Sequence, residues 1–129
     1  MLERTRTVKI LVIVEDEPDM RMMIRAILKV DDRLEIVGEA ASAAEAIEEA
    51  RTLDPGLIIL DHSIEGDVMG LDAAPLLKRV APFAKILLFS AFDLEAEAAA
   101  EPAIDGFLSK SNVRKLLPTV QRMLGFEGR

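Results

Sequence analysis

Five short apolar runs recur along the chain, at 8–14, 34–37, 57–60, 85–89 and 106–108, and each reads as a β-strand. Between them apolar residues return at helical spacing. The first such segment follows Pro18 and sets Met20, Met23, Ile24, Ile27 and Leu28 on one stripe, most simply a core-facing side rather than a target-binding surface. The second opens at Ser42-Ala-Ala-Glu45, a capping box, closes before Asp54-Pro55-Gly56, and buries Ala46, Ile47, Ala50 and Leu53. A third helix is expected over about 72–80, with Pro75 tolerated in its first turn and Pro82 beyond its end. A fourth, over about 93–100, is rich in Ala and Glu and is cut short by Pro102. The last is expected over about 113–124, where Pro118 demands a kinked or late-starting first turn.

Strands that alternate with helices over the whole length give a (βα)5 pattern. A run such as Leu57-Ile-Ile-Leu60 has no polar face, so it needs cover on both sides. The expected class is therefore α/β: a parallel sheet of five strands between two layers of helices. Ligands of such sheets bind at the carboxyl ends of the strands, which directs the search for chemistry.

Length and composition narrow the picture. At 129 residues, 50% apolar and 30% charged, the chain matches one ordinary globular domain. The expected organisation is an N-terminal extension at 1–7, a folded unit at 8–124 and a short tail at 125–129, with no output domain. The net charge of −7 disfavours a direct nucleic-acid surface, because phosphate contacts need clustered cations. With no Cys, disulfides, thiolate nucleophiles and Cys-type zinc sites are excluded, and the single His62 cannot build a multi-His site. The run at 8–14 is too short to span a bilayer and lacks a signal peptide's cleavage site, so a cytoplasmic protein without membrane insertion is expected.

Polar residues sit where the chemistry should be. Glu15, Asp16 and Glu17 follow strand 1, Asp61 follows strand 3, Ser90 strand 4 and Lys110 strand 5. Carboxylates brought together at Glu15, Asp16 and Asp61 repel one another, and a hard divalent cation with oxygen ligands, magnesium first and manganese as a substitute, relieves that. Asp61 can then serve as a nucleophile that accepts a phosphoryl group as an acyl phosphate, with Ser90 and Lys110 on the remaining phosphoryl oxygens.

Four segments, Ile10-Leu-Val-Ile-Val-Glu15-Asp16-Glu17-Pro18, Leu57-Ile-Ile-Leu-Asp61, Ile86-Leu-Leu-Phe-Ser90-Ala91 and Asp105-Gly-Phe107-Leu-Ser-Lys110, together resemble the response regulator receiver domains of two-component signalling, over about residues 8–124. The resemblance implies a flavodoxin-like fold with strand order 2-1-3-4-5, magnesium on Glu15, Asp16, Asp61 and the backbone carbonyl of Ser63, and phosphorylation of Asp61 by a sensor histidine kinase. It further implies that Ser90 is a switch hydroxyl, that Phe107 is an aromatic whose rotamer follows it, and that Lys110 pairs first with Asp61 and then with the phosphate. Phe107 serves equally well as a core anchor, and His62 reads as a flanking side chain without a chemical role. The chain departs from the family pattern at Ile64-Glu65, where Met-Pro is common. It departs again at Gly70, one residue late, at Ser111, where Pro and a cis peptide are frequent, and in its short fourth helix.

The implied output acts in trans on a protein target, through a monomer or a phosphorylation-dependent dimer, with autophosphorylation and slow autodephosphorylation as its own chemistry. Phe92, two positions after Ser90, is apolar bulk that should hinder water and lengthen the phosphoaspartate's life. The alternatives are a shuttle to a histidine phosphotransfer protein and an interaction module independent of phosphorylation. Asp61, Ser63, Glu65, Gly66 and Asp72 also fall at EF-hand spacing, but a strand precedes Asp61 where a helix is required. An aspartyl phosphatase would need a second Asp where Ser63 stands.

Overall fold

The computed structural model describes residues 7–13, 18–64 and 66–126. Its strands are β1 (Val8–Ile13), β2 (Leu34–Ala40), β3 (Leu57–Leu60), β4 (Lys85–Ser90) and β5 (Gly106–Ser109), joined in the order β2-β1-β3-β4-β5 with every pairing parallel. The helices are α1 (Pro18–Leu28), α2 (Ala43–Leu53), α3 (Gly70–Val80), α4 (Glu95–Ala100) and α5 (Leu116–Met123), the last preceded by a 3-10 segment, Lys110–Lys115. The expected (βα)5 fold and strand order are both present.

Alternation along β3 divides the core. Leu57 and Ile59 join Ile10, Leu87 and Phe89 under α1 and α5, while Ile58 and Leu60 join Ile86 and Leu88 under α2, α3 and α4. All four residues of β3 are fully buried, which explains why its sequence carries no polar position. Ala43, Ala46 and Ala50 of α2 and Ala73 and Ala74 of α3 let these helices lie close on the second face. In β2, Val37 is an extra residue between Ile36, level with Ile10, and Gly38, level with Leu11, and the strand runs on to Ala40 rather than stopping at 37.

Local rules fixed several ends as expected. Ser42 Oγ accepts from the Glu45 amide at 3.2 Å, and the Glu45 carboxylate reaches back to the Ala41 amide at 2.9 Å, so the capping box forms one residue wider than its usual closure. Pro118 falls in the first turn of α5, where its missing N–H is harmless, because the preceding segment is 3-10 and the α-helix starts late.

Three expectations about the helices are also corrected. α3 begins at Gly70, not near 72, so Pro75 lies in its second turn; it sits on the exposed side, where the carbonyl freed four residues earlier can face water. Helix α4 begins at Glu95 rather than 93. Met23 leaves the α1 stripe: it is 43% exposed and Met22 69%, whereas Ile24 and Leu28 are buried and Met20 and Ile27 half-buried.

Candidate functional site

β3 delivers Asp61 to the carboxyl edge of the sheet, where it is 2% exposed. β4 ends there with Ser90, fully buried, and β5 hands over to Lys110. The register across this edge pairs Leu60 with Leu88 and Ser90 with Ser109, so Lys110 emerges beyond the buried end of β4. Lys110 Nζ reaches Asp61 Oδ2 at 2.6 Å, and its side chain is only 10% exposed. Two opposite charges at that distance and burial interact far more strongly than a surface pair, and a lone charge left behind would carry the desolvation penalty. The other carboxylate oxygen, Oδ1, accepts from the Ser63 amide at 3.3 Å.

The backbone that aims Lys110 is held from both sides. Asp105 Oδ2 accepts from the Ile86 amide at 2.8 Å and from Lys78 Nζ at 2.7 Å, locking the entry of β5 onto β4 and α3. At the exit, Ser109 Oγ accepts from the Ser111 amide at 3.2 Å and caps the 3-10 segment that Lys110 begins. Ser111, standing where the resembled family often has Pro, supplies the amide for that cap, and none of the described peptide bonds is cis.

Asp61 thus meets Lys110 and the Ser63 amide, and Ser90 ends the neighbouring strand at the same edge of the sheet. Phe107 is half-buried against the cluster under α3 and α4, and it lines a surface cavity of about 260 Å³ with Ala98 and Ile104. Glu15, Asp16 and Glu17, with Val14 and Glu65, lie outside the described residues. β1 is level with β3 to its end, Ile13 beside Leu60, which places the exit of β1 at the height where Asp61 begins. Among the described residues no group of three or more acidic, His or Cys side chains could hold a metal.

His62 and Gly70 do work that the sequence did not announce. Gly70 N donates to His62 O at 2.8 Å, and a Cβ on Gly70 would stand 2.1 Å from the Asp61 carbonyl oxygen, so only glycine permits this approach. His62 Nδ1 accepts from the Leu71 amide at 3.2 Å, giving α3 the cap that Met69 cannot provide. A glycine eight residues after the His was the available signal for the close approach.

The receiver-domain family model, described as "Response regulator receiver domain", matches residues 11–121. The chain belongs to that family. Among curated relatives of this receiver domain, the response regulator protein VraR of Staphylococcus aureus is 34% identical over 111 residues. That match covers 84% of this chain and 52% of the relative, so the chain spans about half the length of the curated relatives it matches. Among solved structures, a two-component response regulator of the LuxR family from Aurantimonas sp. SI85-9A1 superposes with a TM-score of 0.82 at 26% identity, covering 92% of this receiver domain and 86% of that chain. The response regulator domain of Thermotoga maritima CheB shares the fold, with a TM-score of 0.79 at 22% identity over 95% of this chain and all of that one. No described helix of the receiver domain is long and apolar enough to cross a membrane.

Proposed function

We propose that this receiver domain accepts a phosphoryl group on Asp61 from the phosphohistidine of a sensor histidine kinase and passes the change to a protein partner. The supporting observation is the buried Asp61–Lys110 pair at the carboxyl edge of the sheet, 2.6 Å apart, with Ser90 ending the neighbouring strand. In the transfer, an Asp61 oxygen attacks phosphorus, the P–N bond breaks, and the imidazole leaves and takes up a proton. Lys110, already beside the carboxylate, exchanges its partner for a phosphoryl oxygen, and the Ser90 hydroxyl turns to donate to another. The phosphoryl group carries about −1.5 to −2 in place of the carboxylate's −1, and this charge, projected further from the sheet edge, biases a two-state equilibrium of the face around Phe107.

Glu15, Asp16, Asp61 and the Ser63 carbonyl would hold magnesium, or manganese in its place, and the bound ion would offset charge on the transferring group. Residues 8–124 act as the receiver unit, in the cytoplasm, with a downstream protein rather than nucleic acid as the direct target. Incubation with magnesium and a small acyl phosphate, read by intact mass, tests the assignment. Wild type should gain one phosphoryl group and Asp61→Asn none; equal gain by both would refute Asp61 as the acceptor. Transfer from the labelled protein to a histidine phosphotransfer domain would make it a relay shuttle, and undiminished partner binding by Asp61→Ala would make it a phosphorylation-independent module.

A further inference from the structure

His62 joins the first turn of α3 to the loop after β4. Its carbonyl accepts from Gly70 N at 2.8 Å and its Nδ1 from Leu71 N at 3.2 Å, so the ring cannot swing without uncapping α3. Acceptance at Nδ1 leaves the ring proton on Nε2. The imidazole meets the ring of Phe92 edge to face, with centroids 6.3 Å apart and planes at 80°. That is a favourable geometry for an aromatic pair. Phe92 in turn donates its backbone N–H to Ser90 Oγ at 3.0 Å, and Ser90 is fully buried. A continuous line of contacts therefore runs from α3 through His62 and Phe92 to the hydroxyl of Ser90.

We propose that His62 and Phe92 form a latch that holds Ser90 in its resting orientation, with His62 as a positioning residue for the switch. The proposal rests on the reading of Asp61 as phosphoacceptor. Turning the Ser90 hydroxyl toward a group on Asp61 either withdraws the acceptor of the Phe92 amide or draws that amide along with it. In either case one of the two contacts that fix Phe92 is lost or displaced. A contact made in one state only favours that state by its own free energy, so the ring pair weights the equilibrium toward rest. Phe92 is 57% exposed, so its release toward solvent meets little steric opposition.

His62 is the chain's single histidine, and its imidazole therefore gives one unambiguous set of NMR signals. The experiment records the nuclear Overhauser effect between the His62 and Phe92 rings with magnesium alone, then with magnesium and beryllium fluoride as phosphoryl mimic. Loading is verified independently by the fluorine signal of the bound mimic. The ring-to-ring effect should be present with magnesium alone and lost on loading. His62→Asn, which keeps a cap acceptor, and Phe92→Leu, which keeps apolar bulk, should each tighten binding of the mimic about two- to tenfold. The double variant should bind no tighter than the better single one, because both remove the same contact. Persistence of the ring contact in the loaded protein, unchanged affinity in both single variants, or factors that multiply in the double variant would each overturn the latch. A wild type that shows no bound fluorine signal would instead refute the phosphoacceptor reading, which keeps the two failures apart.

Discussion

Removing the carboxylate of Asp31 should destabilise the protein by about 3 kcal/mol, near the lower end for one partner of a buried ion pair. Asp31 lies between α1 and β2 and is 2% exposed. Its Oδ1 accepts from the Arg33 amide at 3.0 Å and from Arg33 Nε at 2.9 Å, and its Oδ2 from an Arg33 terminal nitrogen at 2.6 Å and from Gln121 of α5 at 2.9 Å. The Arg33 guanidinium also stacks over the Phe126 ring, 4.3 Å from its centroid, so the node ties α1 and β2 to the end of α5. Arg33 keeps 17% of its side chain exposed, and water can therefore recover part of its solvation once Asp31 is gone. That is why the lower end of the range applies.

For a chain of 129 residues the unfolding entropy is about 0.27 kcal/mol/K, so Asp31→Ala should lower Tm by about 11 °C. The loss should depend on pH with a definite sign. The Arg33 side chain above all, then Gln121 and the Arg33 amide, hold the Asp31 carboxyl well below its ordinary value of 3.8, and burial opposes them only in part. A depressed folded value means that protons bind the unfolded chain first. The contribution of Asp31 is therefore complete above 3.8 and fades as pH falls from there toward its lower folded value. Urea unfolding of wild type and Asp31→Ala should give a constant difference between about pH 5 and 8 and a shrinking one below about pH 4. A difference under about 0.5 kcal/mol at pH 7, or one that does not change with acidification, would mean that Asp31 and Arg33 do not act as a buried ion pair.

Gly70→Ala forces a Cβ to within 2.1 Å of the Asp61 carbonyl oxygen and 2.7 Å of His62 Cα; thermal melts should show a loss of about 2–3 kcal/mol, and phosphorylation should weaken because Asp61 is displaced. Lys110→Ala should slow phosphorylation by a small acyl phosphate about tenfold or more, as read by stopped-time intact mass, since the cation paired with Asp61 is lost. Phe92→Glu should shorten the phosphoaspartate lifetime roughly tenfold by replacing apolar bulk with a group that can orient water; an unchanged lifetime would remove Phe92 from the control of hydrolysis.

Much of this protein is local in origin. The unbroken apolar runs at Leu57-Ile-Ile-Leu60 and Ile86-Leu-Leu-Phe89 determine buried parallel strands, because no other environment covers both of their faces. Ser42 and Glu45 determine the start of α2, and Pro118 the late start of α5, because caps and missing donors act within one turn. The order of acid, hydroxyl and amine after successive strands was enough to mark Asp61, Ser90 and Lys110 together. What the chain could not state locally is how far along each strand its neighbour lies. The Asp61–Lys110 contact spans 49 residues and depends on a register that Asp105 and Lys78 lock at the far end of β4 and β5. The Asp31–Gln121 bond spans 90 residues, and nothing in either segment alone gives a reason to expect it. The outward turn of Met22 and Met23 and the use of His62 as a cap were settled in the same way. A side chain's partner across the fold is chosen by register and close packing, which exist only once the sheet and its helices have assembled.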